Sequence, residues 1–175
     1  ATVESFHRDA TVLRLGTPAR IDRESPLRVR LALGISRGER MDLAIQKAVE
    51  LGVHHICPLL TEFCVVRLDD EKKEVRLAHW QRVIRSAMEQ CGRNEMPAID
   101  PPIPLENWFT SREPFGQELM LDPEAPMGFH QVIPPPQRLT LVIGPEGGFS
   151  EQERERALES GLQSVRLGPR ILRTE

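Results

Sequence analysis

The sequence predicts an α/β domain built on a largely parallel sheet, and three observations carry that prediction. From residue 40 onward, helical and extended patterns alternate, the order in which β-α-β units lay strands side by side in parallel. Residues 139–143, Leu-Thr-Leu-Val-Ile, are aliphatic and β-branched, the pattern of a strand buried on both faces. Directly after them Gly144, Pro145, Glu146, Gly147 and Gly148 force a tight turn, and Ser150 with Glu153 has capping-box spacing for a helix beginning at Glu151. Strand, glycine loop and helix N-terminus in that order make a small-molecule site at the strand ends of α/β sheets.

The elements follow in order. Residues 1–36 hold two weakly alternating stretches, at 10–15 and 27–33, punctuated by Gly16 and Pro18, and read as short strands of a small β unit. Thirty-six residues are few for a stable sheet domain, so this unit is expected to be part of a larger one. A joint at residues 34–38 leads to a helix over 40–51, where Met41, Ala44, Ile45, Ala48 and Val49 share one stripe and Gly52 supplies the stop. A strand over 53–60 comes next. Its His54, His55 and Cys57 raise the question of zinc, but consecutive strand residues point to opposite faces and no second ligand pair follows, so no metal is expected.

The longest helix is predicted from about residue 74 to 91, with Leu77, Trp80, Val83, Ile84, Ala87 and Met88 as core side chains and Gly92 as its end. Glu89, Gln90, Arg93 and Asn94 cluster at that end, open either to a functional role or to Arg93 simply satisfying helix carbonyls. A proline-marked loop, a short helix near 106–109 and a strand over 118–121 ending in Asp122-Pro123 follow. Pro134, Pro135 and Pro136 form an extended lead into the buried strand. After the capped helix, Gly161 precedes a strand over 164–167 and the tail Gly168-Pro-Arg-Ile-Leu-Arg-Thr-Glu175.

Three loops therefore fall at C-terminal strand ends: Asp122-Pro123, residues 144–149 and residues 168–173. If they converge they form one pocket. Its chemistry is narrowed by what the glycine loop lacks. There is neither a G-x-G-x-x-G fingerprint nor a Gly-Lys-Ser/Thr phosphate cradle. Glu146 inside the turn would repel phosphate yet accept hydrogen bonds from a ribose diol or a cationic group. A nucleoside-like ligand with positive charge fits better than ATP or NAD.

Composition sets outer bounds. The chain has 39% hydrophobic and 28% charged residues and a net charge of −3, an ordinary globular balance that does not advertise a nucleic-acid binder. Yet 20 of the 23 basic residues are Arg, the better group for bidentate phosphate and base contacts, so position must decide. No apolar run could span a bilayer, and three widely spaced cysteines argue for a reducing, cytoplasmic setting.

Four motifs in one order, Ile143-Gly-Pro-Glu-Gly-Gly148, Leu167-Gly-Pro-Arg-Ile-Leu-Arg-Thr-Glu175, Ile45-Gln-Lys-Ala-Val-Glu-Leu-Gly-Val53 and Glu89-Gln-Cys-Gly-Arg93, resemble the bacterial small-subunit ribosomal-RNA uridine-N3 methyltransferases of the SPOUT class. The resemblance runs from about residue 34 to 175. It implies a trefoil-knotted methyltransferase domain over 37–175, with a knot-completing helix beyond Glu175, and a partial PUA-like β-barrel over 1–36 that grips RNA. It further implies S-adenosylmethionine as methyl donor, small-subunit ribosomal RNA as substrate and a homodimer. Carried over residue by residue, the donor would be held by Gly144, Glu146, Gly147 and Gly148, by Leu167, Gly168, Ile171, Leu172 and Arg173, and less firmly by Leu121. Arg93 and Arg173 would face the target uridine, Glu175 or Glu89 would serve as base, and Arg37 and Arg40 would meet RNA phosphate. Two alternatives remain at this point: a knotted 2′-O-methyltransferase, and a non-catalytic RNA-binding or ribosome-assembly module.

Overall fold

The computed structural model describes residues 1–19, 21–66, 68–132 and 137–174. At the start, β1 (Thr2–Phe6) and β2 (Thr11–Arg14) form an antiparallel hairpin with exposed side chains, separate from the main sheet. The main sheet begins with β3 (Arg28–Gly34), followed by α1 (Glu39–Glu50), β4 (His55–Leu60), α2 (Asp70–Cys91), the two-residue strands β5 (Ala98–Ile99) and β6 (Ile103–Pro104), and α3 (Leu105–Ser111). Next come β7 (Gln117–Leu121), β8 (Arg138–Ile143), α4 (Glu151–Glu159) and β9 (Gln163–Val165). The strand order is β5-β4-β3-β8-β7-β9, with β6 also on β4, and every pairing in it is parallel.

The main sheet is covered on both faces, which explains its aliphatic strands. Alternation along β3 sends Leu31 and Leu33 into a core with Met41, Ile45 and Val49 of α1 and Trp80, Ile84 and Ala87 of α2. Ala32 faces the other way, into a core with Trp108 and Phe109 of α3, Ala157 of α4, Met120 and Val142. Trp80, 1% exposed, is a core residue as its helical spacing predicts.

Two expectations need correction. The stretch at 27–33 does not belong with the hairpin: β3 is a central strand, paired with β4 on one side and β8 on the other, so the boundary drawn at residue 36 falls inside the α/β unit. Its Arg28 and Arg30 suggested a half-exposed strand. Arg30 is in fact buried, because its guanidinium is matched to Glu118 at 2.6 Å and Thr140 at 3.1 Å. The second correction is smaller. Helix α2 starts four residues before the predicted position, since Asp69 caps it by accepting from the Lys72 N–H at 2.9 Å, although that first turn buries no apolar side chain. The proline run at 134–136 lies outside the described residues.

Candidate ligand site at the strand ends

Loops leave the C-terminal ends of β7, β8 and β9 and enclose one cavity of about 760 Å³. The β7 loop contributes Leu121, Asp122, Pro123 and Glu124; the β8 loop contributes residues 143–149; the last segment contributes Leu167 and residues 170–174. Arg40 of α1 and Arg154 of α4 complete the wall.

The β8 loop is shaped by local chemistry. The Gly148 N–H donates to the Pro145 carbonyl at 2.8 Å, and Gly148 has φ of 71°, a left-handed conformation that a side chain resists. Gly34, at the end of β3, lies so close that a Cβ there would come within 2.4 Å of the Pro145 nitrogen. Phe149 is buried behind the turn, and Ser150 caps α4 in the predicted box: its hydroxyl accepts from the Glu153 N–H at 3.3 Å, and Glu153 accepts from the Ser150 N–H at 2.9 Å. The other Glu153 oxygen accepts from the Glu62 N–H at 2.8 Å, fastening the helix start to the loop after β4. On the opposite rim the Thr174 hydroxyl donates to the Gly144 carbonyl at 3.1 Å, so the final segment lies back across the glycine loop.

Glu146 is the acid of the β8 loop. It accepts from the Arg37 N–H and from the Arg40 guanidinium, each at 3.1 Å. Burial alone would raise its carboxyl pKa. The hydrogen bonds from its own N–H, from the Arg37 N–H and from Arg40 outweigh that and hold it below its ordinary value of 4.5, so the loop carries a fixed negative charge. Arg154 lies 3.5 Å from Glu124 and 4.0 Å from Asp122, binding the first turns of α4 to the β7 loop.

Of the residues singled out in the sequence, Leu121, Gly144, Glu146, Gly147, Gly148, Leu167, Ile171, Leu172, Arg173 and Arg40 line the cavity. Gly168, with φ of 75°, shapes the last loop and is not in the wall. Arg37 is exposed and reaches the site through its backbone. Glu89 is exposed on α2, away from the wall, and Glu175 lies outside the described residues.

Arg93 requires a correction. Its side chain is 4% exposed, paired with Glu24 at 2.5 Å, and donates to the Val49 and Val53 carbonyls, both at 2.9 Å. It closes the end of α1 and anchors the segment before β3, while the neighbouring Asn94 amide donates to the Ile21 carbonyl at 2.8 Å. These donors all point into the fold, and Arg93 does not line the strand-end cavity. Conversely, Arg154 was not anticipated. Its signal was its place four residues into the helix that follows the glycine loop.

A covered parallel sheet whose strand-end loops surround an acid-bearing glycine turn defines an α/β protein with a candidate small-molecule site at its strand ends. The chain belongs to the RNA methyltransferase domain family, which matches residues 23–175. It is 37% identical over 155 residues to the ribosomal RNA small subunit methyltransferase E of Buchnera aphidicola from Schizaphis graminum, covering 87% of this chain and 62% of that protein. Among solved structures, it superposes on the ribosomal RNA small subunit methyltransferase E from Neisseria gonorrhoeae bound to S-adenosyl methionine with a TM-score of 0.84 at 42% identity, covering 89% of this chain and 64% of that one. A Legionella pneumophila protein in complex with the cofactor SAM gives a TM-score of 0.91 at 38% identity, covering 98% and 71%. The chain thus spans about three-fifths of the length of the first named relatives it matches.

Proposed function

We propose that this protein transfers a methyl group from S-adenosylmethionine to N3 of a uridine in small-subunit ribosomal RNA. The observation that carries the reading is the convergence of the three loops on a single cavity of about 760 Å³ with an ionised Glu146 in its wall. That volume lies within the range of about 300–1,000 Å³ typical of small-molecule sites. Backbone groups at Gly144, Gly147, Gly148, Ile171 and Leu172 and the apolar wall of Leu121 and Leu167 suit an adenosine. Gly168 sets the turn that presents them. The negative Glu146 suits a sulfonium and opposes a polyphosphate. Support also comes from the relatives solved with this donor.

When bound, the donor supplies a methyl group on a positively charged sulfur, ready for in-line displacement. The chain's part is chiefly positioning, which can contribute about 7–11 kcal/mol when nucleophile and electrophile are pre-aligned. Uridine N3 must also lose its proton. Arg173, in the cavity wall, presents paired donors that stabilise the charge spreading onto the two flanking carbonyl oxygens. Glu175, two residues on, is the candidate base. Arg37 and Arg40, at the rim beside Glu146, are the candidate phosphate contacts.

For the whole protein we infer a trefoil knot, with the chain after β9 passing across the β8 loop where Thr174 meets Gly144. The antiparallel hairpin β1–β2 is read as part of a PUA-like barrel that grips RNA, the working form as a homodimer, and the location as the cytoplasm. Among the described residues no helix is long and apolar enough to cross a membrane.

The test is methylation of small-subunit RNA, naked and in assembled subunits, with isotopically labelled donor and mass mapping of the product. N3-methyluridine is the expected result. A ribose 2′-O-methyl product would move the protein to the 2′-O class. Absence of both transfer and donor binding would leave a non-catalytic RNA-binding module.

A further inference from the structure

His55 and Cys57 are two residues apart on β4, so their side chains leave the same face of the sheet. On that face Cys57 is packed in the core with Leu59 and Trp108. Strand β5 pairs with β4 at His55 and Ile56, and the Asp100 N–H donates to the Ile56 carbonyl at 3.0 Å. This register delivers the Asp100 carboxylate to both side chains. Its Oδ2 is 2.8 Å from His55 Nε2 and 3.2 Å from Cys57 Sγ, and Sγ is 3.9 Å from Nε2. A triangle with these edges has a circumradius of about 2.0 Å, so a point just off its plane lies about 2.0–2.3 Å from all three atoms, the lengths zinc takes to nitrogen, oxygen and sulfur.

We propose that His55, Cys57 and Asp100 bind a divalent d-block cation, zinc foremost, in a three-ligand site whose fourth position is solvent. Thiolate, imidazole and carboxylate form the borderline-soft donor set such ions prefer, and the two anions neutralise the ion's charge. The site is open on one side: His55 and Asp100 are 35% and 45% exposed, whereas Cys57 is buried behind them. Binding releases the thiol proton now donated to Asp100, and His55 must bind as its Nδ1–H tautomer, since its Nε2 now faces the Asp100 carboxylate at 2.8 Å. Burial and the Asp100 carboxylate push the uncomplexed thiol up to about 12, so the ion must displace that proton. The nearby Arg30 guanidinium pairs with Glu118, a carboxylate it shares with Arg112. None of the three ligands lines the strand-end cavity, and the ion's structural effect is to staple the two-residue strand β5 to β4. The sequence left these residues aside for want of further ligands. Asp100, 43 positions beyond Cys57, supplies one through strand pairing.

The test is a titration of chelator-stripped protein with cobalt(II) alone, then zinc(II). One cobalt per chain, with a thiolate-to-metal charge-transfer band and tetrahedral d–d bands displaced by zinc, is expected. The band should vanish in Cys57→Ser and persist in Cys64→Ser and Cys91→Ser. Asp100→Asn, a near-isosteric change at a half-exposed position, should weaken cobalt binding at least about tenfold. No charge-transfer band in the wild type, or a band unchanged in both Cys57→Ser and Asp100→Asn, overturns the proposal.

Discussion

The Arg93 guanidinium serves the fold through Glu24 and the carbonyls of Val49 and Val53. Removing one partner of such a buried pair strands the other, which typically costs about 3–5 kcal/mol. Arg93→Ala should therefore lower the unfolding free energy by that amount, seen as a lower urea midpoint, while leaving donor affinity of the folded fraction unchanged, as read by chemical denaturation and calorimetry. A stable variant would show that the pair adds little. Arg173 is assigned the opposite role. Arg173→Ala should reduce turnover by about 10²–10³, the usual cost of one transition-state donor, with a much smaller change in donor affinity. Equal losses in both would make Arg173 a donor-binding residue only. The two arginines look alike in the sequence. What separates them is Glu24, 69 residues from Arg93, and no spacing rule announces that partner.

At the scale of the element, the β8 loop and α4 depend on interactions between near neighbours. Ser150→Ala removes the cap and should cost about 1 kcal/mol of stability, visible as a lowered thermal midpoint. Gly34→Ala presses a methyl group against the Pro145 backbone, so the loop must shift, and donor binding should weaken more than overall stability falls. A variant that binds normally would show that the loop tolerates displacement. This dependence on neighbours is also why the loop, its cap and the helix stops at Gly52 and Gly92 could be read from residue order alone. Strand β3 could not. A strand containing a buried arginine resembles a half-exposed one until Glu118, from a distant strand, is known to meet it. The convergence of the three loops was likewise foreseeable from the α/β strand-end rule, whereas the entry of Arg154 depended on how α4 lies over the β7 loop.

Across the whole molecule, ion pairs make stability depend on pH with a definite sign. Hydrogen bonds from Arg93 hold Glu24 below its ordinary 4.5 against the opposing effect of burial, and Glu146 is shifted the same way. A carboxyl with a depressed folded pKa contributes stability above its unfolded value and loses it as pH falls through the folded one. The thermal midpoint should thus drop on acidification below about pH 4.5, and Glu24→Gln should drop less steeply. An identical acid slope in that variant would remove Glu24 from the account. The sheet's layout separates two places, with the cavity at the ends of β7, β8 and β9 and the His55–Cys57–Asp100 cluster on β4 and just after β5. The central claim concerns the first of these. Amide hydrogen exchange with and without S-adenosylmethionine tests it most directly: the account predicts slowed exchange concentrated at residues 121–124, 143–149 and 167–174. Protection confined to other parts of the sheet, or none at saturating donor, would contradict it.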